Sequence, residues 1–410
     1  MSRYTNKRAN PNKSRNRGDR IPTVLHLDHS TEPGGAELAL LRILLHHDQW
    51  TPILRIPRPG SGQSTAGVFE PLRKVSPRVI SFAGAPQKPG ASGQKVGISR
   101  AISFAAGAFL ASIQLRFSSA YRQADIIHAN TSRSAVYGAL ACLTSQKKLV
   151  VHLRDETSAA SLGPAGFQLF SRVALRRANA VIANSRATLA TAEPFLRTKT
   201  DRTVIASPIG FDSRTERRMT ADSVRRIGMV ARIDPWKGHA LLLRAFAISV
   251  AGSNTRLVLA GGASFGKEES LTELEKLAED LGIRDRVDFL GHVDDVRSVI
   301  DQLDVCVQAS IRPEPLGQNV LQYLVAGKPI IAVNAGGPAE WIRSGENGVL
   351  VEMNSVDSMT AALNMLISDK SMRERMSIAA EATEGIGTDA EVASAHGRFF
   401  ELVLSNEGSE

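Results

Sequence analysis

Two cations stand in a loop that follows a short apolar run, where ligand-binding residues lie in parallel α/β proteins. Arg232 and Lys237 belong to the stretch VARIDPWKG, just before a helical pattern begins. An anion bound there would be held by both side chains and by the N–H groups at the helix N-terminus. The pattern favours a diphosphate-binding loop, and two solvated surface cations are the alternative for this loop taken alone.

A second group of polar residues lies in RPEPLGQNVLQYLVAG. Glu314 stands between two prolines, and residues 315–326 are typical of a helix that Gly327 stops. A carboxylate there can accept hydrogen bonds from sugar hydroxyls, while the backbone N–H groups of Leu316 and Gly317 can meet phosphate or hydroxyl oxygens. Gln322 offers both a donor and an acceptor. The alternative is that Glu314 caps the helix and Gln322 is a surface residue.

The first half of the chain opens with a comparable loop, DHSTEPGGAEL. Gly34 and Gly35 permit positive φ angles and a close approach of backbone to a ligand, although an ordinary tight turn is an equal alternative. The chain has neither GxGxxG nor GxxxxGK[ST], so nicotinamide binding and a P-loop are not supported. No DxD motif or histidine cluster indicates a metal, and we expect no cofactor.

The elements that must position these residues come in two series of short apolar runs separated by helical patterns. Near-continuous Val- and Ile-rich runs between helices indicate parallel sheets buried on both faces. We therefore predict an α/β protein with two doubly wound, Rossmann-like domains that face each other across a cleft. The predicted strands are TVLHL (23–27), DIIHA (125–129), LVVHL (149–153), AVIAN (180–184), TVIAS (203–207), RIGMVA (226–231), RLVLAG (256–261), VDFLG (287–291), DVCVQA (304–309) and PIIAV (329–333).

The domain bounds follow from the polar, turn-rich segment after residue 207. We predict a disordered basic tail over 1–20, an N-terminal domain over 21–208 and a C-terminal domain over 209–387. We also predict a last helix over about 388–405, which could pack back on the N-terminal domain, although the sequence does not decide between the two domains. Residues 84–97 are rich in Gly and Pro and indicate an exposed loop.

Charge and cysteine content bound the partners and the compartment. The formal net charge is +9, but residues 1–20 contribute +6 of it, so nucleic acid is an unlikely partner of the folded part. The tail either touches acidic lipid or nucleic acid or simply aids solubility. Cys142 and Cys306 lie in apolar runs without metal-ligand spacing, which indicates core residues in a reducing, cytoplasmic compartment.

One segment raises the question of membrane contact. Residues 101–115 are charge-free and mostly apolar, but a membrane span needs about 20 such residues. The longer segment 97–123 is a helix candidate with Arg100, Arg116 and Arg122, and it could lie on acidic lipid at the inner face of a membrane. A helix that faces the core is the alternative.

The combination of motifs resembles a known family. The stretches VARIDPWKG, LAGG, FLGHVDDV, RPEPLGQNVLQ, GKPIIAVNAGGPAEWI and ENGVLVE are similar to the carboxyl-terminal half of family-four retaining glycosyltransferases of the GT-B fold. The stretches PGGAEL, IIHANTSRSAVYGAL, VVHLRDE, AVIANS and VIASPIGFD resemble the amino-terminal half more loosely. The resemblance covers residues 21–405.

The resemblance implies roles for residues in the C-terminal half. Arg232 and Lys237 match the basic pair that binds the donor diphosphate. Glu314 matches the first Glu of an E-x7-E motif, which contacts donor sugar hydroxyls, and Leu316 and Gly317 match its backbone contacts.

The remaining matches lie nearer the acceptor and the base. Gly34 and Gly35 match a loop that approaches phosphate and acceptor, and Gly291 to Val293 match a segment beside the nucleobase.

The chain departs from the family pattern at three positions. Gln322 replaces the second Glu of E-x7-E, which typically holds the ribose hydroxyls. Asn130 and Arg154 stand where many members have histidines. The family includes variants with an Asn–Arg pair, so the resemblance still implies Asn130 as a catalytic residue and Arg154 as a ligand-binding one.

The function implied is a retaining, metal-independent transfer of a sugar from a nucleotide-diphosphate donor to a hydroxyl acceptor. The acceptor would be a saccharide or a lipid-linked saccharide in polysaccharide, glycolipid or other glycoconjugate biosynthesis. Two other classes stay open. Gln322 and Asn130 suggest a catalytically silent sugar-nucleotide-binding protein, and the pI of about 9.7 suggests nucleic-acid binding through the tail.

Overall fold

The computed structural model of the chain describes residues 21–58, 66–76, 79–83, 98–211, 222–250, 253–263 and 269–406. The predicted basic tail over 1–20 and the predicted loop over 84–97 lie outside the described residues. For residues 82, 83 and 98–104 only the backbone is considered.

The first sheet has seven parallel strands in the order β3-β2-β1-β4-β5-β6-β7. Most of its central strand residues are buried, because helices cover both faces and leave no solvent-facing alternation. The strands are β1 (Thr23–Leu27), β2 (Thr51–Pro57), β3 (Ile80–Ala83), β4 (Ile126–Ala129), β5 (Lys148–Leu153), β6 (Ala180–Ala183) and β7 (Asp201–Val204).

The second sheet has six parallel strands in the order β10-β9-β8-β11-β12-β13. Both orders reverse direction beside the first strand of the sheet, which is the hallmark of a doubly wound fold. The strands are β8 (Arg226–Val230), β9 (Arg256–Ala260), β10 (Val287–Gly291), β11 (Val305–Gln308), β12 (Ile330–Val333) and β13 (Val349–Val351).

Helices cover the sheets, and short 3₁₀ or π turns extend several of them. The helices of the first half are α1 (Gly35–Leu45), α2 (Glu70–Val75), α3 (Ile98–Arg116), α4 (Ser119–Gln123), α5 (Ser132–Ala141), α6 (Ala159–Leu162), α7 (Pro164–Leu169), α8 (Leu175–Arg177) and α9 (Arg186–Ala192). Those of the second half are α10 (His239–Ser249), α11 (Glu269–Asp280), α12 (Val296–Asp301), α13 (Gln318–Val325), α14 (Pro338–Trp341), α15 (Val356–Ser368), α16 (Lys370–Glu381) and α17 (Asp389–Ser405).

The predicted fold class is confirmed, and every predicted strand overlaps an observed one. β7 is shifted, since it covers 201–204 where the sequence predicted 203–207. Three further strands, β2, β3 and β13, were not predicted. The buried Arg55 interrupts the apolar run of β2 and donates a hydrogen bond to Ser81 of β3. Polar residues thus lie inside both strands, and neither has the continuous apolar pattern on which the prediction was based.

The last helix, α17, crosses back to the first sheet. It contacts α1, and its buried Phe399 and Phe400 join the core around Trp50. Both cysteines are buried and free, as predicted. Among the described residues, every helix is too short or too polar to cross a bilayer.

Candidate functional site

Most of the predicted site residues lie at the carboxyl ends of the central strands in both sheets. In the first sheet β1 and β4 are neighbours, and Asp28 and Asn130 follow them directly. In the second sheet β8 and β11 are neighbours, and the loops after them carry Arg232 and Glu314. These are the two points where strand order reverses, and crevices for ligands open there.

Glu314 and Lys237 form a partly enclosed ion pair. Lys237 Nζ lies 2.9 Å from Glu314 Oε1, which also accepts hydrogen bonds from Ser310 Oγ and, at 3.1 Å, from Gln308 Nε2. Burial on its own would raise the pKa of Glu314. The Lys237 charge and these hydrogen bonds outweigh burial, so the pKa lies below its ordinary value and the carboxylate stays ionised.

The loop that carries Lys237 is held by a glycine with a left-handed backbone. Gly238 has φ +81 and precedes α10, and a Cβ there would stand 1.8 Å from the carbonyl oxygen of Ala309. This close approach ties the loop to the end of β11. The ammonium of Lys237 consequently reaches the Glu314 loop.

A further cation, Arg312, belongs to the site and was not predicted. The guanidinium of Arg312 and the ammonium of Lys237 both lie over the ring of Trp236, 4.2 Å and 4.1 Å from its centroid. Arg312 and Arg232 are exposed, so both can meet an anion from solvent. A cation two residues before a predicted sugar-binding glutamate was the available signal.

The backbone before α13 has the features expected of a ligand loop. Gly317 is the residue that caps α13 and has φ +74, a left-handed conformation that favours glycine. Among the described residues, no acceptor is paired with the N–H groups of Leu316 and Gly317, which leaves both able to donate to a ligand. Because Gly317 occupies the cap position, the alternative that Glu314 caps this helix is wrong.

Gln322 faces the linker between the two sheets. It is buried, so the alternative of a surface residue is wrong, and its Nε2 donates to the carbonyl oxygen of Ile209 at 2.9 Å. Gln318, one turn earlier, donates to the carbonyl of Pro208 at 2.8 Å. The amide NH₂ of Gln322 is thus engaged within the protein, and its predicted contact with a ribose stays a prediction.

Asn130 and Arg154 are bonded to each other. Nη2 and Nε of Arg154 donate to Asn130 Oδ1 at 2.8 Å and 3.2 Å, and Nη1 donates to Ser207 Oγ at 2.9 Å. Asn130 Nδ2 in turn donates to Asp28 Oδ2 at 2.7 Å. Burial lowers the pKa of Arg154 to about 10, against the opposing charges of Asp28 and Glu37. The pair fixes the floor of the N-terminal crevice, and its predicted ligand contacts stay untested.

Gly34 and Gly35 do not use positive φ. Gly34 is extended with φ −123, and Gly35 is the first residue of α1. A Cβ at Gly34 would lie 2.3 Å from Glu37 Oε2, so any larger residue there would require that carboxylate to move. The predicted approach to phosphate therefore depends on an extended turn beside a buried acid.

Glu37 forms a cluster with Asp28 and His29. The nearest ligand atoms of the three side chains lie within 4.8 Å of one another, which is a spacing that could hold a cation. Desolvation and the charge of Asp28 raise the pKa of Glu37 to about 7, while the nearby positive charge of Arg154 counteracts part of that rise. Because the pKa of Glu37 is raised, a proton bound to Glu37 can relieve its repulsion with Asp28.

Contacts across the cleft bring the two halves together at this site. Ser185 Oγ and Thr188 Oγ1 of the first half both donate to the carbonyl of Pro315, next to Glu314. Desolvation raises the pKa of Asp155, which follows Arg154. The positive charges of Arg312 and Arg232 in the other half counteract part of that rise. The N-terminal crevice thus faces the cations of the C-terminal loops.

The predicted nucleobase segment begins at the end of β10, the edge strand that lies two strands away from β8. Gly291 ends β10 with φ +65, and its carbonyl accepts from Gly261 N at 2.7 Å. Val293 is half-buried two residues later. Their contact with a base stays a prediction.

Comparison with known proteins identifies two family models. Glycosyl transferases group 1 matches residues 216–383, and Glycosyltransferase Family 4 matches residues 73–209. The lipopolysaccharide core biosynthesis glycosyltransferase LpsE of Rhizobium meliloti (strain 1021) is 36% identical over 111 residues, 27% of this chain and 32% of that protein. D-inositol 3-phosphate glycosyltransferase of Rhodococcus opacus (strain B4) is 31% identical over 173 residues, 41% of this chain and 37% of that protein. The chain thus spans about a third of the length of these two curated relatives.

A solved structure covers far more of the chain. Anabaena Alr3699/HepE in complex with UDP and glucose has a TM-score of 0.73 and 25% sequence identity, over 93% of this chain and 100% of that one. The two family models together span more than half of the chain, in the order that the two sheets take. The chain belongs to the family-four-like glycosyltransferases of the GT-B fold.

Proposed function

We propose that the chain moves a sugar from a nucleotide-diphosphate donor to a hydroxyl acceptor, with retention at the anomeric carbon and without a metal ion. The observation that carries this proposal is the Lys237–Glu314 pair at the carboxyl ends of β8 and β11. It joins the side chain predicted for the diphosphate to the one predicted for the sugar. A donor bound across that pair would present its anomeric carbon to the crevice of the first sheet.

Uridine is the nucleoside to test first. The HepE structures contain UDP, and one of them contains UDP-glucose, at 25% and 24% identity to this chain. LpsE is named for lipopolysaccharide core biosynthesis. The LpsE name supports a glycoconjugate pathway for this chain, with a saccharide or a lipid-linked saccharide as the proposed acceptor.

Charge stabilisation carries the proposed chemistry. The bond between the anomeric carbon and the diphosphate oxygen breaks, and the exposed Arg232 with Lys237 stabilises the negative charge that develops on the leaving group. The acceptor oxygen forms its new bond on the same face, and its proton passes to the departing phosphate. Glu314 is held ionised by Lys237, so it can accept hydrogen bonds from the donor sugar.

Metal independence rests on the same cations. Arg232, Lys237 and Arg312 lie in the two loops around Trp236, and together they can offset the charge of a diphosphate. The Asp28–Glu37 cluster lies in the other half, where the acceptor is expected. We assign it to the acceptor side rather than to the diphosphate.

A sugar-nucleotide-binding protein without activity is the competing proposal, favoured by the engagement of Gln322 with Ile209 and of Asn130 with Arg154. Slow hydrolysis of a donor by the wild type, lost in Lys237→Ala, supports the enzyme. Tight binding with no turnover of any donor, even with saccharide acceptors added, supports the silent protein.

A thermal-shift screen with UDP, GDP, ADP and their sugars tests the donor site. A ligand that binds only the folded state raises the melting temperature by mass action, and a concentration of 100 times Kd adds about 2.7 kcal/mol. We expect one nucleotide to raise the melting temperature of the wild type and to have a much smaller effect on Lys237→Ala. No shift with any nucleotide would contradict both the enzyme and the silent binder.

A further inference from the structure

The outer face of α3 is a row of exposed apolar side chains. Phe109 is 58% exposed, Leu110 60%, Ile113 40% and Phe117 74%, and we call these four residues the α3 stripe. Positions 109, 113 and 117 are spaced by four, so they lie along one side of the helix, and 110 lies beside them. The α3 stripe is therefore a continuous surface and not a set of separate side chains.

The opposite face of α3 makes the core contacts. Ala108, Ser112 and Leu115 are buried, and the helix packs along α5. The predicted core-facing helix is confirmed for this face, while Phe109, Leu110, Ile113 and Phe117 on the other face point to solvent. An exposed phenylalanine lacks the favourable free energy that burial of its apolar surface would contribute.

Exposed apolar residues elsewhere are scattered. Examples are Val75 at the end of α2 and Ile248 on α10, each without a comparable row on its own element. Single exposed apolar side chains are normal on a protein surface, whereas a contiguous row with polar borders marks an interaction site. The α3 stripe meets that description.

Cations border the C-terminal end of the α3 stripe. Nη1 of Arg122 donates to the carbonyl of Phe117 at 2.8 Å. The guanidinium of Arg116 and the ammonium of Lys147 lie 5.1 Å and 5.5 Å from the centroid of the Tyr121 ring, so both are held beside this end of the helix. Residues 98–123 contain no Asp or Glu, and Asp125 is the acid that acts on Lys147.

We propose that the α3 stripe is the surface by which the protein lies on a bilayer that contains anionic headgroups. Apolar side chains in a row enter the acyl boundary, and the neighbouring Arg and Lys side chains attract acidic lipid. A second copy of the chain fits less well, since α3 and α4 offer no acid to pair with its cations. The inference stands on the exposure and charge of α3 and does not depend on which donor is used.

The position of α3 relates the proposed membrane contact to the proposed acceptor site. α5, on which α3 packs, begins directly after the N-terminal crevice at Asn130 and Thr131. A bilayer against α3 would lie beside the half of the protein assigned to the acceptor. An acceptor anchored in lipid would therefore be presented near that crevice.

Vesicle sedimentation of the full chain tests the proposal. The probes are vesicles of phosphatidylcholine alone and of phosphatidylcholine with phosphatidylglycerol. The test variant is Phe109→Ser/Phe117→Ser. The matched control is Val75→Ser/Ile248→Ser, which removes two apolar side chains of similar exposure, 73% and 58%, away from α3. The basic tail is identical in all three proteins, so its contribution cancels.

We expect wild type and control to bind the anionic vesicles. We expect the affinity of Phe109→Ser/Phe117→Ser for these vesicles to be at least about tenfold lower. Equal binding by all three proteins, equal loss in both variants, or no binding by the wild type would overturn the proposal. Sedimentation velocity without vesicles tests whether a second copy of the chain binds the α3 stripe instead. A wild-type dimer that only the α3 variant loses would assign the surface to that second copy and overturn the proposal. Nucleotide thermal shifts, which should be equal in the three proteins, report the donor site independently.

Discussion

The N-terminal domain should lose stability steeply in mild acid, because four histidines are buried without charge. His26, His128, His152 and His396 pack against one another beside Phe400 of α17, and His26 also contacts Trp50. Trp50 Nε1 donates to His26 Nε2, so His26 carries its proton on Nδ1 and donates it to Nδ1 of His128 at 2.9 Å. Both ring nitrogens of His152 lack a hydrogen-bond partner within the described part of the chain.

The expected size of the effect follows from the pKa shifts. Desolvation lowers the pKa of all four histidines, to about 4 for His396, and neighbouring positive charge, chiefly that of Arg154 or another histidine, adds to this. A folded state that holds histidine neutral is favoured above the unfolded pKa of about 6.5 and loses that advantage as pH falls below it. At one pH unit below 6.5, each histidine that stays neutral lowers the free energy of unfolding by about 1.4 kcal/mol, so four lower it by about 6 kcal/mol.

Urea unfolding followed by tryptophan fluorescence, to which Trp50, Trp236 and Trp341 contribute, measures this loss at pH 7.5 and 5.5. His152→Leu should reduce the acid-induced loss by about 1.4 kcal/mol and leave stability at pH 7.5 unchanged or higher, since it removes an unsatisfied buried ring. His292→Ala is the matched control, because His292 is exposed in the other domain. The same loss in His152→Leu as in wild type would refute the assignment of the acid sensitivity to this cluster.

Three further changes test individual contacts. Gln322→Glu sets a carboxylate against the carbonyl of Ile209 and should cost roughly 1–3 kcal/mol of unfolding free energy at pH 7.5, measured by urea titration; donor binding by the folded variant should stay intact or tighten, and its abolition would exclude a ribose contact. Glu37→Gln should stabilise the protein by up to about 3 kcal/mol at pH 8 but little at pH 4.5, because the raised pKa of Glu37 makes the wild type lose stability as pH rises towards about 7; a pH-independent effect would contradict this. Gly238→Ala should lower the melting temperature more than Gly35→Ala, since only the former meets a carbonyl oxygen.

The sequence predicts the fold well, and it places the candidate site residues after the same strands as the structure does. Buried parallel strands need apolar side chains on both faces, so runs such as β1 and β10 have the bounds that the pattern indicates. Because parallel strands end at one edge, Arg232, Glu314 and Asn130 could be placed at crevices without any tertiary information.

Other features depend on contacts that no local pattern contains. The link from Arg154 to Ser207 and that from Gln322 to Ile209 join segments 53 and 113 residues apart. Pairwise contacts of this kind decide whether a polar side chain faces a ligand or the protein. Local sequence can offer the residue type but not the partner.

The histidine cluster did leave a signal. TVLHL, DIIHA and LVVHL each carry a histidine as the fourth residue, and parallel pairing sets His26 directly beside His128. The repeated position indicates a polar layer across neighbouring strands. Its partner, His396, is supplied by α17 and could not be foreseen from strand pattern.

Release of nucleoside diphosphate from a panel of UDP-, GDP- and ADP-sugars, in wild type and Lys237→Ala, tests the central claim most directly. The account predicts release from one donor class by the wild type, and a rate about a hundredfold or more lower in Lys237→Ala, since the variant loses the cation that faces the leaving group. Lys276→Ala, an exposed lysine on α11, should match the wild type. Equal release by wild type and Lys237→Ala, or no release from any donor, would contradict the account.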